Sequence, residues 1–140
     1  MTPTLPPPPP AHNLTVLASP LALPDLPALL WAIAEVESGN NPAAIGKNGE
    51  RTRYQIKWST WNRYTGLGMV GCSEEAAQDV VVQYLLEIAQ NLVRHGRPIN
   101  PCTLYVAYRT GQYRPTLARG VTDSGIRVEN LYEDRMKGAK

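Results

Sequence analysis

The chain has 140 residues and a net charge of +2. That length suits one domain with a real core, and the charge is too small for a dedicated nucleic-acid binder. No apolar run is long enough to span a bilayer, so no transmembrane segment is expected.

Nine of the thirteen prolines fall in the first 27 residues, with Pro6 to Pro10 unbroken. Residues 1–24 therefore read as an extended polyproline II arm, and the folded domain is expected over 25–140. The arm suits a spacer; the sharper reading, a ligand docking in a partner protein's aromatic groove, has no flanking residue to select it. "MTPTLPPPPP" lacks the basic start of a secretory signal and its apolar run is broken, so no Sec route is expected.

Asp25 can cap a first helix and Pro27 is tolerated in its opening turn. Leu26, Leu30, Ile33 and Glu37 share one face, and Leu29, Trp31, Val36 and three alanines make the rest nearly apolar. A helix apolar all round is a buried one. Gly39 suits a left-handed terminator. From Ser38 to Thr52 the chain reads as a loop or short hairpin, "RYQI" as a brief strand, and "STWNRYTG" as a short helix ended by Gly66. The longest helical pattern runs from about Glu74 to Arg94, capped by Ser73, with Val81, Leu85, Ile88 and Leu92 as its stripe and Val82, Leu86, Ala89 and Val93 widening it. "INPCTLYVAYRTG" follows, with Asn100 as cap, Pro101 at the first helical position and Gly111 as stop. A last helix, about Ser124 to Lys137, turns Val128, Leu131 and Tyr132 inward. The fold class is mainly α.

Cys72 and Cys102 are expected as free thiols. The helix between them is roughly 30 Å long, and the chain would have to run almost straight back to pair them. "GLGMVG" has dinucleotide-loop spacing but follows a helical segment, so it is rejected. His12 and His95 are isolated and the cysteines lack ligand spacing, so neither metal nor other cofactor is expected.

Glu37 is the residue that invites chemistry. It lies on the buried stripe near the helix's negative end, whereas Glu35, about 200° around the axis, does not. A carboxyl in apolar surroundings has its pKa raised and keeps its proton, as a general acid must. Trp58, Trp61, Tyr64 and Tyr113 offer flat faces for sugar rings, although Trp61 and Tyr64 suit the core better.

"IAEVESGNNPAAIGKNGERTRYQI" resembles the amino-terminal signature of soluble-lytic-transglycosylase-type domains, lysozyme-like proteins related to goose-type lysozymes that cleave peptidoglycan. The matching residues are Glu37-Ser38, Asn41-Pro42, Gly49 and Tyr54-Gln55-Ile56. "LYVAYRTG" resembles the same family's Ala-Tyr-Asn-Ala-Gly box, through Ala107, Tyr108 and Gly111. The departures are Arg109 for Asn, Thr110 for Ala, and Thr52-Arg53 for Gly-Leu.

The resemblance implies a lysozyme-like fold with a small loop or β-hairpin region beside the catalytic helix, acting on peptidoglycan glycan strands at the bacterial cell wall. Glu37 would be the catalytic acid for the bond between N-acetylmuramic acid and N-acetylglucosamine. Tyr108 would orient it, Ser38 support it, and Tyr54 and Gln55 belong to the substrate groove. A lytic transglycosylase needs this one carboxyl. A muramidase needs a second, for which Glu50 is the first candidate and Asp123 a distant second, although a solvated loop charge is the default reading of Glu50. Lys47, Arg51 and Arg53 would meet peptide-stem carboxylates or simply face solvent. A glycan- or partner-binding module without catalysis is the third reading.

Overall fold

A computed structural model describes residues 22–66, 73–113 and 119–138. The proline run, most of "GLGMVG" and Cys72 lie outside the described residues. Those described form five helices: α1 (Leu26–Ser38), α2 (Trp58–Thr65), α3 (Glu74–Arg94), α4 (Pro101–Thr110) and α5 (Arg119–Gly138). The protein is mainly α, and no described helix is long and apolar enough to cross a membrane.

The punctuation read from the sequence sets the starts of α1, α3 and α4 and the ends of α1, α2 and α4. Asp25 accepts the Ala28 N–H at 3.0 Å, satisfying one of the donors that every helix start leaves open. Gly39, at φ 66°, closes α1 in the left-handed region, and the next N–H, of Asn40, bonds back to the Ala34 carbonyl. Ser73 caps α3 through the Ala76 N–H. At α4 the cap is reciprocal, because Asn100 accepts the Thr103 N–H while the Thr103 hydroxyl accepts the Asn100 N–H.

Helix α1 is enclosed by the rest. Ala28 to Leu30 and Ala32 to Ala34 are buried, and α5 packs across both α1 and α4, while α3 touches α1, α2 and α4. Val81, Leu85, Ile88 and Leu92 bury the stripe of α3 as expected; Val93, assigned to its edge, is 48% exposed. Trp31 stays near the surface, where the Arg135 guanidinium sits 4.7 Å from its ring centre.

Two readings need correction. Helix α5 starts at Arg119, five residues before Ser124, although Gly120, Thr122 and Gly125 disfavour helix. Packing overrides propensity here: a Cβ on Gly125 would fall 2.8 Å from Val106 Cγ2 and 2.9 Å from Cys102 Sγ, so the missing side chain lets α5 lie close on α4. The half-buried Cys102 thiol is free, as expected of it.

The second correction concerns the loop after α1. "RYQI" is no strand, and the expected hairpin is reduced to two isolated antiparallel bridges, Ile45 to Arg51 and Arg51 to Ile56. Thr52 (φ 73°) and Gln55 (φ 52°) both take left-handed backbone, which turns the chain within four residues and cannot extend a ladder.

Burial ranks the side chains. Ile33→Ala, at a fully buried position of α1, is expected to cost about 2–5 kcal/mol of unfolding free energy. Ile126→Ala, on an exposed part of α5, is expected to stay within about 0.5 kcal/mol of the wild type in the same denaturant titration.

Candidate active site

Glu37 lies in the last turn of α1 with its side chain only 9% exposed, yet it lines an open cleft of about 380 Å³. The opposite wall is the loop from Gly46 to Glu50, and Val36, Gln55 to Lys57, Thr60, Tyr84, Tyr108 and Arg109 complete the lining. The apolar stripe of α1 thus runs into a space large enough for part of a sugar chain.

Helix α4 supplies what holds the acid. Tyr105 donates its hydroxyl to Glu37 Oε2 at 2.7 Å. Arg109, one turn on along the same face, donates Nη1 to the Tyr105 oxygen at 3.1 Å and stands 3.6 Å from Glu37 Oε2. Burial pushes the Glu37 pKa above its ordinary value. The Tyr105 hydrogen bond and the Arg109 and Lys57 charges pull the other way, and the Glu50 charge adds to the rise. Desolvation outweighs its opponents, so the carboxyl holds its proton to higher pH than an ordinary glutamate does. The Tyr105 phenol is pushed upward too, first by burial and then by Glu37, and remains a donor.

Beneath the acid the aromatic rings form a continuous bed. Tyr64 and Tyr84 have ring centres 6.2 Å apart, Tyr84 and Tyr108 5.5 Å, and Tyr105 and Tyr108 6.4 Å. This layer joins α2, α3 and α4, and Tyr84 and Tyr108 from it line the cleft.

Tyr108 faces a different task from the one the resemblance gives it. Its buried hydroxyl donates to the Tyr54 carbonyl at 2.7 Å, pinning the loop to α4, and Tyr105 takes the carboxyl instead. Tyr54 is itself buried and stands outside the cleft lining. Ser38 donates to the Arg53 carbonyl at 2.7 Å and accepts the Asn41 N–H, closing the loop onto the helix that carries Glu37. Arg53 pairs with Glu74 and Asn40, away from the cleft.

Gln55 does line the cleft. Its amide nitrogen donates to the Ala44 and Thr52 carbonyls, bracing the loop from within. Glu50 lines the cleft as well, with one oxygen accepting the Asn48 N–H at 2.9 Å, and hydrogen bonds to backbone N–H groups hold its pKa below the ordinary value. Gly46 makes room for both: a Cβ there would fall 2.4 Å from an oxygen of each side chain.

Tyr105 and Lys57 were not singled out from sequence. The 105-109 spacing, i to i+4, could have flagged a Tyr-Arg pair on one face. Lys57, at the cap position of α2, donates to the Arg109 carbonyl at 3.1 Å and links loop to α4 across the cleft. Trp58 is 59% exposed beside it, whereas Trp61 is core and Tyr113 is held by Asn91 and stacked on His95. Among the described residues no cluster of three His, Cys, Asp or Glu side chains could hold a metal ion.

A raised carboxyl pKa favours the fold below the ordinary value and withdraws that contribution as pH rises through the folded value. Glu37→Gln is therefore expected to melt above the wild type at pH 8, with the difference closing below pH 4.5. A melting difference that does not change with pH would contradict a buried, strained carboxylate.

No family model, curated protein or solved structure matches the chain, so what it does has to be read from this cleft and from its motifs.

Proposed function

We propose that the protein is a peptidoglycan-cleaving lytic transglycosylase with a lysozyme-like fold, and that Glu37 is its general acid. The observation that carries this reading is a carboxyl 9% exposed, biased towards its protonated form, yet lining an open cleft. An acid that holds its proton to higher pH than an ordinary glutamate, where a glycosidic oxygen can reach it, is what the first step calls for.

In that step Glu37 gives its proton to the oxygen joining N-acetylmuramic acid to N-acetylglucosamine. The C1–O bond breaks, the leaving sugar departs as an alcohol, and positive charge builds at C1 and the ring oxygen. Glu37, now a carboxylate, takes the proton of the muramic 6-hydroxyl as that oxygen bonds to C1. A 1,6-anhydro ring closes and the acid is restored. One carboxyl serves both steps because the nucleophile is already held by the sugar. The Tyr105 hydrogen bond and the Arg109 charge steady the carboxylate between the steps.

A second reading has its own support. Glu50 lines the same cleft and is biased towards ionisation while Glu37 is biased towards protonation, the division of roles that a muramidase uses. Glu50 would then activate a water molecule.

Mass spectrometry of digested cell-wall sacculi separates the two, since anhydro products are lighter than hydrolytic ones by one water. Glu37→Gln is expected to lower kcat by about 10²- to 10⁴-fold in either case. An unchanged rate would remove Glu37 from the mechanism. Glu50→Gln should cripple only a hydrolase.

The pH profile carries a further check. Activity should fall as pH rises through the Glu37 pKa. Arg109→Gln removes a charge that lowers this pKa and should move the alkaline limb upward; Glu50→Gln removes one that raises it and should move the limb downward. Shifts of the opposite sign would contradict Glu37 as the titrating acid.

A further inference from the structure

We propose that the cleft is built for a glycan bearing its own carboxylates, met by Lys47, Lys57 and Arg109. The proposal names the substrate class of the cleavage reading and rests on it.

All three cations line the cleft with Glu37. Among the described residues, neither Lys47 nor Lys57 is ion-paired. Lys57 uses one of its ammonium hydrogens on the Arg109 carbonyl, which anchors the side chain and leaves two donors. Arg109 spends one nitrogen on Tyr105 and Glu37, and its side chain is still 52% exposed. Two carboxylates, Glu37 and Glu50, line the cleft against these three cations, and Glu50 commits one of its oxygens to its own loop through the Asn48 N–H.

The result is a positive surplus concentrated in one concave surface of a chain whose net charge is only +2. Low-dielectric walls focus such a field and raise the local concentration of an anionic polymer. A neutral chain of N-acetylglucosamine would leave these donors to water. Two kinds of carboxylate occur along a peptidoglycan strand: the lactyl group of muramic acid once its stem peptide is removed, and the acidic groups of the stem itself.

The test uses the full-length protein at one pH on four strand preparations: stems intact, stems removed by amidase, and each of these with its carboxylates converted to methyl esters. At low salt, the wild-type kcat/KM on charged strands is expected to exceed that on the ester by roughly three- to tenfold. The ratio should shrink above about 0.15 M ionic strength and fall towards one in a Lys47→Gln/Lys57→Gln variant. Taking the ratio within each protein cancels the effect of Lys57 on the Glu37 proton. A preference seen with amidase-treated strands identifies the lactyl carboxylate, and one confined to intact strands identifies the stem.

A wild-type ratio of one, or a ratio unchanged in the double variant, overturns the proposal and leaves glycan cleavage standing. Should the wild type cleave none of the four, the cleavage reading falls. Calorimetric binding of the same strands then decides the proposal separately: equal affinities overturn it, and a carboxylate preference lost in the double variant upholds it.

Discussion

The arrangement depends on one constraint: a carboxyl must be taken out of water at the end of an apolar helix without being sealed in. Helix α1 meets the first half of this because its neighbours enclose it, so the position one turn beyond Ile33 inherits dry surroundings. Gly39 and Asn40 meet the second half. Their left-handed backbone stops the helix at once and turns the chain aside, leaving the carboxyl on open space. Moving the acid by one residue would carry it about 100° around the axis, off the stripe.

Desolvation alone would make Glu37 a poor catalyst, because a neutral acid must also accept charge after giving up its proton. Tyr105 and Arg109 supply that capacity from α4. They stabilise the carboxylate without overcoming burial, so the group is biased towards protonation but able to ionise. The same helix fixes the loop through Tyr108 and the Tyr54 carbonyl, and the loop grips α4 through Lys57. Acid, acid partner and opposite wall are therefore positioned by one helix, which explains why the cleft can stay open while its parts keep register. The loop's left-handed Thr52 and Gln55 carry a local cost of about 1–3 kcal/mol each, offset by the hydrogen bonds that Ser38 and Gln55 make across it.

Local signals were the legible part of the sequence. Capping residues, prolines in first turns and terminal glycines act within a few residues, and Asp25, Ser73, Asn100, Gly39, Gly66 and Gly111 all stand where such rules put them. The Glu37 environment was legible for the same reason, since the stripe of α1 is a local pattern. What failed depended on distant contacts. Helix α5 starts early and runs through two glycines, and its close approach to α4 at Gly125 is a contact that local pattern does not show. The missing strand comes from backbone conformations at Thr52 and Gln55 that residue type does not announce. Tyr105 and Tyr108 are three residues apart and chemically identical, and only the packing of α4 decides which faces the acid. Glu50, taken by default as a solvated loop charge, is still open to water, and the bridges at Arg51 bring it to the cleft lining as well.

The central claim is that dry surroundings keep a proton on Glu37 in a site open to substrate. Its most direct test is a titration of the Glu37 side-chain carboxyl by ¹³C NMR in the full-length protein, with the resonance assigned by its loss in Glu37→Gln. The account predicts a midpoint above 4.5, the value of an ordinary glutamate. A midpoint at or below that value would contradict it, for the group would then be an ion-paired carboxylate with no proton to give.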